Sequence, residues 1–484
     1  MNETILTWVI FILAFGGMVL IHEFGHFIAA RLSKVEVEEF GIGLPTPGAL
    51  TLWINKGFLL LKSGKRIEIP HNFGLPITWN ELIENEVKIT VDQVNDRLVL
   101  RSIEVSKVED LERYATSRQL DHVYVDQNGK VAEPSDDPFR SASRKTIKAG
   151  KTTGAMELVD VVTEVHPGTR FTFNWLLLGG FVRPKGENDP NVPGGLAAAS
   201  PWKRLFVLFA GPVMNLLTAV LIYSLIFNQV GVPDATRVSV SSVTKDGPAA
   251  QAGFQAGDIF ISGNEKPIVS IEQLREIVNA NDNKPVVFLV DRNGEQVELT
   301  ATPQLTRLED GSERVMIGVG LGSPFKTPES PMETISLGAQ FTMQNIRMLI
   351  ALPAQMIRGS LNSEESRLIG LKGIFDVLQQ TVSRDVEAAN TPVATPSTNP
   401  IDRPIMTLNL IASLSVSLGL FNLFPFPALD GGRILFVLPE LIFRKRVPAQ
   451  FENMVHAAGM AFLLLLMIYI NVMDFIDPVS VTIP

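Results

Sequence analysis

The sequence contains no cysteine. That absence removes disulfides, thiolate zinc sites, iron–sulfur clusters and haem–thiolate ligation together. Any metal must be held by His, Asp or Glu. Basic excess is missing too: 42 Lys and Arg stand against 51 Asp and Glu, a formal net charge of −9. With no basic tail, nucleic acid is not an expected partner. No internal repeat is visible. Charge is absent from four long stretches, residues 5–21, 205–227, 404–429 and 454–473. About 20 apolar residues cross a bilayer. In a chain that is 46% hydrophobic, this predicts a multi-pass α-helical membrane protein with about four transmembrane helices. The first run lacks a positive leading region and a small-residue cleavage site, so it is expected to be a retained helix.

Basic residues beside the spans set the expected orientation. Arg31 and Lys34 follow the first span, Lys203 and Arg204 precede the second, and Arg433, Arg444, Lys445 and Arg446 separate the third from the fourth. With four crossings these clusters share one side, expected to be cytoplasmic. Both termini and residues 229–403 are then extracytoplasmic, in an inner or plasma membrane.

Residues 1–55 are expected to hold the first transmembrane helix and a loop. Residues 56–170 read as a cytoplasmic insertion, β-rich or α+β, with alternating stretches and a turn at Asn128-Gly129. Its "RSASRKTIKAGKTTG" reads as a solvated loop, with contact to anionic headgroups the sharper alternative. Residues 171–200 begin "FTFNWLLLGGFVRPKGE". This apolar part is too short to span, and it suits a membrane-dipping β-hairpin or an ordinary buried strand pair. The second span is placed at 201–228. Residues 229–310 read as a domain of short strands and one helix, and 311–403 as amphipathic helices and a linker. The third span is placed at 404–432. Residues 433–484 are expected to contain a cytoplasmic loop, the fourth span and a short tail.

The chemistry starts from "HEFGH" at residues 22–26. Residues four apart share a helix face, so His22 and His26 can face one metal, with Glu23 beside them to take a proton from the attacking water. Three ionisable groups at the end of a membrane helix are costly, which favours function over a helix end snorkelling to the interface. A catalytic zinc needs a third protein ligand and an open position. His456, at the start of the fourth span, is one candidate. Asp430 in "FNLFPFPALDGGR" is the better one. Pro425 and Pro427 interrupt the helix and let Asp430 turn inward; the alternative is a plain helix stop beside Gly431-Gly432. The first and third spans run in the same direction, so His22, His26 and Asp430 fall at one depth, near the cytoplasmic face.

"HEFGH", "FAGPVMN" and "NLFPFPALDGG", in that order around one domain bearing "GPAAQAGFQAGD", resemble a site-2 protease. The chain is similar to the bacterial intramembrane zinc metalloproteases of the sigma-E-regulating type. The resemblance covers residues 1–55, 171–305 and 366–460. It implies one Zn2+ per chain held by His22, His26 and Asp430, with Glu23 as catalytic base. It implies that Asn422 and Asn215 lie near the site. The stretch around Gly180, Phe181 and Val182 is similar to a β-loop that pairs with an unwound substrate. The extracytoplasmic domain resembles a PDZ domain, which implies a peptide ligand or a size filter. The expected partners are the bilayer and a transmembrane segment of a single-pass protein such as an anti-sigma factor, cut in regulated intramembrane proteolysis. The insertion is longer than the resemblance predicts. Two other readings are a proteolytically silent PDZ adaptor that retains a zinc site and a metal transporter. The presence of Glu23 opposes the first. The near absence of acidic and His residues from the second and fourth spans opposes the second.

Overall fold

The structure, a computed structural model, describes residues 3–73, 82–94, 97–105, 124–125, 131–132, 153–234, 236–307, 313–358, 369–390 and 405–477. The Asn128-Gly129 turn, nearly all of the basic stretch 140–154 and most of the linker before residue 405 lie outside these residues. In chain order the helices are α1 (Glu3–Leu32), α2 (Pro201–Val230), α3 (Pro248–Ala252), α4 (Ile271–Ala280), α5 (Pro331–Ile357), α6 (Leu371–Asn390), α7 (Met406–Leu423), α8 (Asp430–Phe443) and α9 (Ala449–Ile476). Among the described residues four, α1, α2, α7 and α9, are long and apolar enough to cross a membrane. These four fit an integral membrane protein and correspond to the four expected spans, the third ending earlier than expected. It divides into two units, one of residues 15–213 and 423–460, the other of 1–14, 214–422 and 461–484.

The first unit carries the strands β1 (Val37–Leu44), β2 (Leu50–Ile54), β3 (Gly57–Leu61), β4 (Arg66–Ile69), β5 (Glu86–Val94), β6 (Arg97–Val105), the short pair β7 (Tyr124–Val125) and β8 (Val131–Ala132), β9 (Thr153–His166), β10 (Arg170–Phe173) and β11 (Leu176–Pro184). The expected insertion is a closed barrel in the order β3-β4-β6-β5-β9. Alternation explains it: Val87, Ile89 and Val91 of β5 point inward with Leu59, Ile67, Leu100 and Val162. Closure leaves this sheet no edge.

The second sheet has the order β11-β1-β10-β2. The expected hairpin at 171–187 is therefore corrected. Its two strands, β10 and β11, do not pair with each other but flank β1, β10 parallel and β11 antiparallel to it. Asn174 makes the crossing possible. Its backbone N–H donates to the Ile42 carbonyl at 2.8 Å, and its Oδ1 accepts from the Thr46 N–H at 3.2 Å. The link thus folds over the end of β1. Buried Glu39 ties the sheet together, accepting from Arg170 at 2.9 Å, Arg183 at 3.2 Å and Thr172 at 3.0 Å.

The other unit holds the domain expected at 229–310. Its strands are β12 (Val232–Pro233), β13 (Val238–Val243), β14 (Ile259–Gly263), β15 (Lys266–Pro267), β16 (Val286–Arg292), β17 (Glu295–Ala301), β18 (Gln304–Arg307), β19 (Glu313–Met316), β20 (Val319–Gly322) and β21 (Phe325–Lys326). The main sheet runs β17-β16-β14-β13-β20 around a core that includes Phe254, Phe260, Leu274 and Phe288. The domain extends past residue 310, because β20 completes the sheet beside β13 and β21 pairs with β12. Asn293-Gly294 closes the β16–β17 hairpin, both residues having positive φ. Helix α6 packs Leu378 and Val382 on Phe11 of α1. Its first turn is capped by buried Asp474 of α9, which accepts from the Gly370 and Gly373 N–H groups.

Candidate active site

The fold brings the three candidate ligands together within one unit. His22 and His26 lie one turn apart on α1. Asp430 arrives differently from the expectation. The third span does not reach it: α7 stops at Leu423, six residues without helix follow, and Asp430 opens α8. Pro425 and Pro427 prevent one continuous helix. Ala428 takes a positive φ of 78°. Gly431 and Gly432 are required by close approach, since a Cβ on either would lie 2.1–2.3 Å from the Phe424 or Phe426 carbonyl oxygen. The helix start is therefore pressed onto the turn, and the Asp430 carboxylate sits at the positive end of α8.

His22 Nε2 lies 3.1 Å from Asp430 Oδ2, His26 Nε2 lies 3.3 Å from it, and the two Nε2 atoms are 3.1 Å apart. Four ligands about 2.0–2.2 Å from a tetrahedral zinc stand about 3.3–3.6 Å from one another. The spacing agrees within a few tenths of an ångström. His26 Nδ1 donates to the Val207 carbonyl at 2.7 Å, which leaves the Nε2 lone pair facing inward. Asp430 Oδ2 is buried and receives no well-directed hydrogen bond. Two imidazole nitrogens and a buried carboxylate oxygen converging on one point suit a divalent cation. Among the described residues this is the one cluster with metal-ligand spacing.

Two features at the site escape a reading by motif chemistry alone. Gly211 of α2 keeps the space over the cluster open, because a Cβ there would stand 2.4 Å from His26 Nε2 and 2.8 Å from His22 Nε2. Its signal is the Gly-Pro pair at 211–212 inside an apolar helix. The second is His456. It stands outside the cluster of three, and its Nδ1 accepts from the Ala428 N–H at 2.9 Å and supports the turn that carries Asp430.

Glu23 is held by the sheet. Its Oε2 accepts from the Val182 N–H at 3.1 Å. Strand β11 reaches α1 because Gly179 and Gly180 have no side chains: Cβ atoms there would meet Val19 at 2.6 Å and Leu20 at 2.7 Å. In the ladder Gly180 opposes Ile42, Phe181 opposes Gly41 and Val182 opposes Phe40. The far side of β11 has no strand partner among the described residues. Asn215 and Asn422 belong to the other unit. There Asn215 is buried, its carbonyl accepting from Ser415 Oγ at 2.8 Å, and Asn422 is in the last turn of α7.

The profile of peptidase family M50 matches residues 10–56 and 155–466. The chain belongs to peptidase family M50. The unmatched stretch between these segments coincides with the barrel up to the start of β9. Zinc metalloprotease RasP of Oceanobacillus iheyensis is 28% identical over 482 residues, 96% of this chain and 97% of that protein. Probable protease eep of Enterococcus faecalis is 27% identical over 478 residues, 97% of this chain and 98% of its own. Metalloprotease MmpA of Caulobacter vibrioides is 31% identical over 276 residues, 55% of this chain and 67% of that protein. Among solved structures, the PDZ domain of the SdrC-like protein of Listeria monocytogenes is 20% identical and covers 19% of this chain and 90% of its own, with a TM-score of 0.16. This M50 chain is a site-2-type metalloprotease, an enzyme of intramembrane proteolysis, and its relatives' names imply zinc.

Proposed function

We propose that His22, His26 and Asp430 hold one zinc ion per chain and that Glu23 is the general base for hydrolysing a peptide bond in a transmembrane segment. The observation that carries this is the convergence of three ligand atoms from two distant helices, with spacings of 3.1–3.3 Å. Zinc, when bound, supplies polarisation of the scissile carbonyl and a bound water with a pKa near about 7. The Glu23 carboxylate takes the proton of the attacking water and returns it to the leaving nitrogen. The Val182 N–H orients that carboxylate through one of its oxygens. The Val207 carbonyl fixes the His26 ring through its other nitrogen.

The substrate segment must unwind before its carbonyls become open to attack, and unwound backbone in lipid leaves polar groups unpaired. The free edge of β11, from Gly180 through Val182, can receive those groups by strand addition. Edge and base are linked by one hydrogen bond, so an added strand lies next to Glu23. The substrate class is a single-pass membrane protein such as an anti-sigma factor. The termini and the domain around residues 232–326 are extracytoplasmic, with the site toward the cytoplasmic face; that domain, PDZ-like, binds a peptide or excludes bulky substrates.

The test is co-expression with a panel of single-pass membrane proteins, comparing the native enzyme with Glu23→Gln. Removing a general base should slow cleavage by about 10²–10⁴-fold while zinc content stays unchanged. Identical fragments from both proteins would sink the assignment.

A further inference from the structure

A second group of charged residues lies in the same unit, beyond the end of α1. A cavity of about 320 Å³ is bounded by the end of α1, the start of β1 and the β2–β3 and β9–β10 links. That volume is at the lower end of small-ligand sites. Its wall carries Arg31, Lys34 and Lys56, all exposed. None has a carboxylate partner among the described residues. The single acid in the wall is Glu36, and its charge is already engaged. His166 Nδ1 meets its Oε1, and buried Lys185 donates to its Oε2 at 3.1 Å. Phe58 stacks on His166 with ring centroids 4.1 Å apart, and the Arg66 guanidinium lies 3.8 Å over the Phe58 ring. Three uncompensated positive charges around one concavity fit an anion.

The surroundings say which anion. On α1, Phe24, Ile28 and Leu32 are exposed at intervals of four residues, so they form one apolar stripe leading to Arg31 and Lys34. On β2, Leu50, Leu52 and Trp53 are exposed just before Lys56. Trp and cations at the end of an apolar surface mark the membrane–water interface. Two apolar surfaces therefore finish in cations around the same cavity. A soluble phosphate has no use for those surfaces, whereas a phospholipid matches both parts.

We propose that this cavity binds the phosphate of an anionic phospholipid, held by Arg31, Lys34 and Lys56, with the acyl chains along the exposed stripe of α1. The site is separate from the zinc ligands and does not depend on their assignment. The barrel, which supplies Phe58 and His166 and follows directly on Lys56, would be fastened to the bilayer there.

The experiment uses the purified full-length protein in phosphatidylcholine nanodiscs, with phosphatidylglycerol as the probe and native mass spectrometry counting retained lipid. The variant is Arg31→Gln/Lys34→Gln/Lys56→Gln, and the control removes three exposed charges elsewhere, Lys245→Gln/Lys266→Gln/Lys284→Gln. Loss of three headgroup contacts should weaken phosphatidylglycerol retention by roughly tenfold or more, with the control changed by less than about twofold. Lys56→Gln alone, in an exposed link, should give a partial loss and guards against misfolding of the triple variant. Retention equal to the native protein, or an equal fall in the control, would overturn the site. Inorganic phosphate binding as tightly as phosphatidylglycerol would overturn the lipid and leave a soluble anion.

Discussion

A methyl group at position 211 would stand 2.4 Å from His26 Nε2. Gly211→Ala isolates that contact. Alanine is the better helix former by about 1 kcal/mol, so the substitution should not weaken α2 itself. It should instead displace an imidazole and lower zinc affinity by about 10–100-fold, the range typical when ligand support is disturbed. Zinc content after dialysis against a weak chelator measures it; unchanged zinc would mean that the helices shift apart without cost. Asp430→Ala probes the same cluster from α8. Two imidazoles alone leave a catalytic zinc site one protein ligand short, so the purified variant should carry less than about a tenth of the native zinc. Tight stoichiometric zinc in that variant would move the third ligand elsewhere. His456 serves a different purpose, since its contact is with the Ala428 backbone and not with the cluster.

Strand β11 joins the sheet to the chemistry. Its position depends on Gly179 and Gly180 lying against Val19 and Leu20, and its edge meets Glu23 through the Val182 N–H. Val182→Pro removes that donor and blocks strand addition at the same point. Cleavage should fall by at least about tenfold, given roughly 1.5–3 kcal/mol for a hydrogen bond to a charged group, with zinc retained. Equal cleavage by the variant would show that the edge is not used. The barrel is a separate element with its own closed ladder and core, and its base meets the cationic cavity through Phe58 and His166.

Over the whole molecule, the described residues hold four helices able to cross a membrane, and if each crosses once the basic clusters all fall in connections on one side. A reporter fused after Asn390, at the end of α6, should appear extracytoplasmic, and one placed in the α8–α9 link should appear cytoplasmic. A cytoplasmic signal from the first would invert the orientation of every segment. The same pair of fusions tests the side assigned to the site, because α8 and its Asp430 directly precede that link.

The sequence by itself determined the four long apolar helices, the pairing of His22 with His26 on one helix face and the alternation that builds the barrel. Each follows from short-range rules: the length of an apolar run, the 3.6-residue turn and the two-residue pleat. What only the tertiary structure decided depends on residues far apart in the chain. The strands of the expected hairpin part around β1 because Asn174 satisfies β1's end rather than closing a turn. Asp430 begins a helix instead of ending one, because Pro425, Pro427 and the glycine pair make a tight turn energetically preferable to a longer span. Gly211, Val207 and His456 act through a missing methyl, a carbonyl and a ring nitrogen placed by packing. Close approach between distant backbones leaves no periodic trace in a sequence, and that is why these contributions become visible only in three dimensions.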